Sequence, residues 1–287
     1  MKQTVSPRER RAEFARLLSE GRTLLVPGCH DALSALLVAE AGVPLVYVGS
    51  YATAASAFGL PDVGVLGLDD LVGLARRIVD AVPVPVVADA EGGFYDAPNI
   101  WRTVRAFEQA GVVAIHIEDH AGGKHTDLPQ RLIPLDDMIA KIKAAREART
   151  DPGFQIIART DAIWATKDFD EARRRLAALA EAGADLLFPT GASPEMLASL
   201  KQAVPGKYVA VDGPGHPAFS DKTTAADLVL YYGFSLFAAT RGMTTSLARY
   251  RSDPGADLAD LFEPVQDFEA RLGYAAFTER SRRYRPG

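Results

Sequence analysis

VPVVADAEGGF, residues 84–94, is the stretch on which the fold turns. An apolar, β-branched run without alternation is the mark of a strand buried on both faces, and here it breaks off at Asp89, Glu91 and two glycines. Seven more runs have the same character: TLLVPG (23–28), PLVYVGS (44–50), VAIHIED (113–119), FQIIART (154–160), DLLFPT (185–190), KYVAVDG (207–213) and FSLFAAT (234–240). Amphipathic segments such as NIWRTVRAFEQAG and FDEARRRLAALAEAG lie between them. Several close on an Ala-Gly step, where glycine takes the left-handed cap before the next strand begins. Eight such units with no break predict an α/β fold, a (β/α)8 TIM barrel forming a single domain over 1–287, with an open doubly wound sheet as the alternative. The Pro- and Gly-rich stretches 120–134 and 213–217 follow strands, which places them on the active face of a barrel. Helical segments at about 241–251, 257–271 and 274–284 exceed what the barrel needs. The helices of 241–287 are expected at a subunit interface, since LGYAAFTERSRRY is apolar on one face.

Bulk properties narrow the function. The chain has 287 residues, a net charge of −5 and a pI near 5.6. No basic run interleaved with aromatics argues for nucleic acid, and no apolar stretch approaches membrane-spanning length. Cys29 is the only cysteine, and the N-terminus has no signal-peptide core, so a cytoplasmic protein is expected. No P-loop, dinucleotide fingerprint, nucleophile elbow or Cys/His zinc pattern is present, and the His and Ser of GHPAFSD have no partner pattern that supports a nucleophile.

The chemistry is carried by acids at strand ends. Asp89 and Glu91, two residues apart, are expected on the same side of their strand, and Glu118 with Asp119 repeats the placement on the next; Asp62 lies in the loop after its own run. Crowded carboxylates need a cation or a bound proton, and hard oxygen donors suit Mg2+ or Mn2+. His116 shares the face of Glu118 and is either a substrate-orienting group or a satisfied core histidine. Arg159, with Asp161 two residues on, suits a substrate carboxylate or a structural ion pair. The loop HAGGKHTDLPQR (120–131) is able to carry Lys124 over the site, although such loops are often inert.

The stretches PGCHDALSALLVAEAG, YVGSYATAASAFGLPDVG, VVADAEGGF, HIEDH, GGKH and ARTDA, in this order and spacing over about 22–250, resemble the isocitrate lyase and phosphoenolpyruvate mutase superfamily. The resemblance implies a barrel whose eighth helix is exchanged between subunits of a dimer or dimer of dimers. It implies Mg2+ held, mostly through water, by Asp62, Asp89, Glu91 and Glu118, and a small carboxylate or oxo-acid substrate. It also implies that Tyr47, Gly49, Ser50 and Tyr51 bind the oxo-acid carboxylate, that Arg159 binds substrate, and that Lys124 rides on a gate. Departures from the family pattern bear on the substrate. Glu91 stands where the family has Asp. The gate reads Lys124-His125-Thr126-Asp127 and lacks the cysteine of the isocitrate and methylisocitrate lyases, so Lys124 or His125 is expected to supply the proton in its place. Thr190 and Asp212 replace polar residues that line the distal half of the site.

The expected activity is Mg2+-dependent carbon–carbon cleavage of a 2-hydroxy di- or tricarboxylate (2-methylisocitrate- or dimethylmalate-like) through a metal-stabilised enolate. Tyr47 is the first candidate for base and His116 the second. The alternatives are an oxaloacetate decarboxylase, a phosphonopyruvate-type P–C enzyme, and a barrel without catalysis.

Overall fold

The computed structural model describes residues 5–214, 225–255 and 257–285. The chain falls into two compact units, a barrel that runs to Leu236 and a C-terminal unit that begins at Phe237. His216 and Ser220 of GHPAFSD lie outside the described residues.

Eight parallel strands form the barrel: β1 (Leu24–Pro27), β2 (Val46–Val48), β3 (Val86–Asp89), β4 (Ala114–Glu118), β5 (Gln155–Thr160), β6 (Leu186–Pro189), β7 (Val209–Asp212) and β8 (Leu228–Tyr231). Continuous ladders join β2-β3-β4-β5-β6 and β1-β8-β7. Single parallel bridges, Gly28 to Tyr47 and Leu187 to Tyr208, complete the ring. One sequence expectation fails here. FSLFAAT (234–240) is not the eighth strand but the start of the helix Phe234–Ser252, and the strand is LVLY at 228–231. A short apolar run does not separate strand from helix by periodicity, and Gly233 lets the chain turn between the two.

The core has two layers. Helices pack an apolar face onto the outside of the sheet: Leu68–Ala81 buries Leu71, Leu74, Ala75, Ile78 and Val79, the i, i+3, i+4, i+7 stripe of an amphipathic helix. Trp101–Ala110 ends at Gly111, whose φ of 89° is the left-handed cap expected from the Ala-Gly step. Within the ring, Leu24, Val26, Val87, Ile157, Leu186, Val209, Leu228 and Leu230 form a second cluster. Phe14, Leu17 and Leu18 of the helix Pro7–Ser19 join that cluster and close the bottom of the barrel. The opposite mouth is left for polar groups. Among the described residues, no helix is long and apolar enough to cross a membrane.

The C-terminal unit holds most of the helix Phe234–Ser252, a short turn, and helices Val265–Leu272 and Tyr274–Tyr284 joined at Gly273. Met243, Leu247, Phe262, Val265, Tyr274 and Phe277 of this unit are exposed.

Candidate active site

The charged groups collect at the C-terminal ends of β2 to β5. Asp89, the last residue of β3, is buried and heavily bonded. Its Oδ2 accepts from the Ser50 hydroxyl at 2.8 Å and the Ser50 N–H at 3.1 Å, and its Oδ1 accepts from the Glu91 N–H at 2.8 Å. The Glu91 backbone departs from the expected geometry. β3 ends at Asp89, and Glu91 has φ 49°, a left-handed conformation that costs a non-glycine residue about 1 kcal/mol or more. Two bonds hold it there: its N–H on Asp89 and its carbonyl, which accepts from the Glu118 N–H at 2.9 Å. The turn, not strand alternation, aims Glu91 at Glu118. Oxygens of Asp89, Glu91 and Glu118 come within 4.8 Å of one another, and Glu91 Oε1 is buried without a hydrogen-bond partner. A compact, all-oxygen, buried set with an unused acceptor fits a hard divalent cation.

Lys124 reaches into this set from the 120–131 loop. Its Nζ lies 2.6 Å from Glu91 Oε2, 3.2 Å from Glu118 Oε1 and 3.5 Å from Asp62 Oδ2. Asp62 also faces His125 Nε2 at 3.5 Å. Arg159 pairs in register with Glu118 across β4 and β5, and its Nη1 lies 2.9 Å from Glu118 Oε2. Its Nε and Nη2 donate to the two oxygens of Asp161, at 2.7 and 3.0 Å. The guanidinium stands over the ring of Phe188. Asp119, next to Glu118, points to the other side of the strand. It accepts from the Asp161 N–H at 2.9 Å and from Arg175 at 3.1 Å, a structural role.

Five carboxylates (Asp62, Asp89, Glu91, Glu118, Asp161) face two full cations, and the ionisation pattern reflects it. Burial, reinforced by the charge of Asp89, pushes Glu91 up to about 8; burial also raises Glu118. Burial works against the ionisation of Asp89 too, but neighbouring positive charge outweighs it and holds this carboxyl below its usual range. The surrounding acids override burial at Lys124 and raise it, so it stays an ammonium. Glu91 and Glu118 share whatever proton the cluster retains.

A second pair lies deeper. Tyr47 Oη is 3.0 Å from His116 Nε2 and 3.5 Å from Asp89 Oδ2. Burial raises the Tyr47 phenol well above its normal value, with Asp89 adding to the effect, and burial lowers His116 to about 4. At neutral pH the pair is therefore a phenol beside an uncharged imidazole. His116 Nδ1 lies 3.5 Å from Asp89 Oδ1 and has no hydrogen-bond partner among the described residues, so the Tyr47 oxygen is the hydrogen-bonding neighbour of the ring. Gly49 is required beside this pair, because a Cβ there would sit 2.7 Å from the Tyr47 oxygen.

A cavity of about 90 Å3 opens over these groups. Tyr47, Gly49, Ser50, Asp62, Asp89, Lys124, His125, Arg159 and Thr190 line its polar side, with Tyr51 at the rim. The buried Thr190 hydroxyl has no hydrogen-bond partner. Sequence reasoning missed the other wall, made by Trp164, Phe188, Val211 and Tyr232. Phe188 and Val211 were accessible to strand periodicity: Phe188 shares a face with Thr190, and Val211 faces in where its neighbour Asp212 does not. Asp212 is absent from the lining, and its carboxylate accepts from the Gly213 N–H at 2.7 Å. Tyr232 was hidden by the misplaced eighth strand. A second, more open cavity of about 470 Å3, lined by Glu91, Glu118, Lys124, His120 and Lys141, reaches the acid cluster from the far side of the Glu91–Lys124 pair.

Residues 14–249 match the family model described as phosphoenolpyruvate phosphomutase. The chain is 35% identical to 2,3-dimethylmalate lyase of Eubacterium barkeri over 96% of its own length and 98% of that protein. Its fold superposes with a TM-score of 0.87 on a phosphoenolpyruvate phosphomutase from Streptomyces platensis subsp. rosaceus, at 30% identity, covering 96% of this chain and 99% of that one. It superposes at 0.85 on a phosphonopyruvate hydrolase in complex with oxalate and Mg2+, at 27% identity and the same coverage.

Proposed function

This chain belongs to the phosphoenolpyruvate mutase and isocitrate lyase superfamily, and from that premise we propose that it is a Mg2+-dependent lyase that splits the C2–C3 bond of a methyl-substituted 2-hydroxydicarboxylate. The carrying observation is the two-sided cavity: acids, Arg159 and Ser50 on one wall, and Trp164, Phe188, Val211 and Tyr232 on the other. Among the described residues, Lys124, His125 and Arg159 are the basic side chains on its lining. That set suits two carboxylates better than three, and the aromatic wall suits methyl groups. Near-full-length similarity to 2,3-dimethylmalate lyase supports the same reading.

Asp89, Glu91 and Glu118, with Asp62 beside them, would hold the metal. When bound, Mg2+ supplies Lewis-acid polarisation of the C2 oxygen and anchors the adjacent carboxylate. The protein's own groups do the rest. Tyr47 would take the C2 hydroxyl proton while passing its own to Nε2 of His116, in the uncharged tautomer that carries its proton on Nδ1. As C2–C3 breaks, C2 becomes the carbonyl of a 2-oxo acid and the electron pair stays on C3, delocalised into its carboxylate. The developing charge therefore sits on the departing fragment, which amends the enolate expected from the sequence. His125, which lines the cavity, would return a proton to C3. The Thr190 hydroxyl is free to bond the distal carboxylate. Arg159, already fixed by Asp161, presents its remaining surface to the substrate.

Oligomerisation belongs to the same proposal. The exposed apolar residues of the C-terminal unit would pack on a second copy of the chain, as the sequence resemblance implies. A cytoplasmic setting fits the single, buried, unpaired Cys29.

The test is a substrate panel with Mg2+: 2,3-dimethylmalate, 2-methylisocitrate, oxaloacetate and phosphonopyruvate. Pyruvate and propionate from the first substrate, with slower turnover of the tricarboxylate, is the expected result. Phosphate release from phosphonopyruvate without cleavage of any hydroxy acid would reassign the chemistry to a P–C bond.

A further inference from the structure

We propose that Arg175 is a positioning residue for the substrate arginine: through the buried carboxylate of Asp119 it holds the Asp161 backbone, and Asp161 aims Arg159 into the cavity. The inference rests on Arg159 as the carboxylate-binding group proposed above, but not on turnover. Three arginines stand in a row, Arg173, Arg174 and Arg175, on the helix Phe169–Glu181. Successive residues of a helix turn by about 100°, so one of the three can face the sheet while its neighbours face water. Arg173 and Arg174 make exposed pairs with Asp170 and Glu171, and Arg175 is buried. Inside, it meets Asp119, which strand alternation turns away from the mouth that Glu118 faces. Its Nη1 donates to Asp119 Oδ2 at 3.1 Å, its Nη2 to the Ile133 carbonyl at 3.0 Å and its Nε to Glu171 Oε1 at 2.7 Å. The Ile133 N–H donates to the Asp119 carbonyl at 2.8 Å, so one guanidinium fixes Asp119 twice, at its side chain directly and at its main chain through Ile133.

Asp119 passes that order on to the arginine. Its N–H donates to the Arg159 carbonyl at 3.2 Å, and its Oδ1 accepts from the Asp161 N–H at 2.9 Å. Asp161 lies just past the end of β5, so its N–H is bonded to the Asp119 carboxylate and not to a neighbouring strand. Both oxygens of Asp161 then receive Arg159. Neither Arg175 nor Asp119 lines the two cavities described above. A buried ion pair is a poor source of stability, since apolar residues of similar volume often serve as well. Here the two charges stand behind the one arginine whose direction matters to a bound carboxylate, and misplacing such a group by about 1 Å can cost roughly 100-fold.

Calorimetry on the full chain tests this, with Mg2+ alone and then with oxalate in saturating Mg2+. Arg175→Met keeps the stem and removes the fork; it is expected to weaken oxalate binding about tenfold or more while Mg2+ affinity stays within about threefold of native. Arg175→Lys keeps the charge without the fork and is expected to weaken oxalate about threefold. In an Asp161→Asn background, Arg175→Met should cost less than about threefold further, because the link through which it acts is already cut. Native oxalate affinity in Arg175→Met overturns the positioning role, and so does an equal loss of oxalate and Mg2+ affinity, which is what a loosened fold gives. A full further loss in the Asp161→Asn background overturns the route through Asp161. If Arg175→Met fails to fold, Arg175→Lys decides: weaker oxalate at native Mg2+ affinity supports the role, and native oxalate affinity overturns it. Absence of Mg2+-dependent oxalate binding by the native chain sinks the carboxylate site itself and this inference with it.

Discussion

Asp161→Asn keeps the shape of the residue beneath Arg159 and removes its charge. The carboxylate is fully buried and takes two guanidinium bonds, at 2.7 and 3.0 Å. An amide offers one acceptor and turns an N–H2 toward the guanidinium, so one bond is lost and a donor faces a donor. Removing one partner of a buried ion pair costs about 3–5 kcal/mol. Arg159 keeps Glu118 at 2.9 Å, which puts the expected loss near the lower end, about 3 kcal/mol. For a chain of this size each kcal/mol moves Tm by about 2–4 °C, so the midpoint should fall by roughly 6–12 °C. Differential scanning calorimetry of the metal-free protein measures it. Combining the change with Glu118→Gln should cost more than the two single effects added, because Arg159 then has no carboxylate partner left in that pair. A midpoint within about 2 °C of the native protein would refute the view that Asp161 secures Arg159.

Three further outcomes are expected. With a carboxyl whose folded pKa lies above its unfolded value, stability is greatest below about 4.5 and is lost as pH rises through about 8; Glu91 therefore makes the chelator-treated protein less stable from pH 5 to 8, with a ceiling of about 5 kcal/mol, and Glu91→Gln should flatten that slope in a Tm-versus-pH series. Tyr47→Phe removes the hydroxyl 3.0 Å from His116 and should lower kcat by about 100-fold or more while changing KM little; an unchanged kcat would remove Tyr47 from the proton path. Trp164→Ala opens the apolar wall and should shift preference from 2,3-dimethylmalate toward bulkier hydroxy acids by about tenfold in the ratio of kcat/KM, whereas an unchanged ratio would mean that the wall does not read the substrate.

What could be read in advance followed the physics of strands. Asp89, His116, Glu118 and Arg159 were legible because a buried strand alternates strictly, so a polar residue at its end must face the mouth or the helices. Alternation also explains Asp119, which lies on the helix side, and Asp212, whose neighbour Val211 faces the cavity. Glu91 was placed correctly for a wrong reason, since a left-handed turn and not the pleat aims it. Trp164 was out of reach because it sits in the turn Ala162–Thr166, where no repeat ties position to direction. The missed β8 is the cost of a four-residue strand beside a longer apolar helix.

Among the described residues the two ladders of the ring meet through single bridges, Gly28 to Tyr47 and Leu187 to Tyr208, rather than through continuous pairing. Tyr47, Asp89, His116, Glu118 and Arg159 all stand on the five-strand arc, while Val211 and the residue after β8, Tyr232, belong to the three-strand arc. A slight parting along these two seams would move Val211 and Tyr232 away from Trp164 and Phe188, widening the apolar side for ligands of different bulk while the ionic machinery kept its spacing. Diversification of substrate within such a scaffold would then cost the least where the staves are fewest.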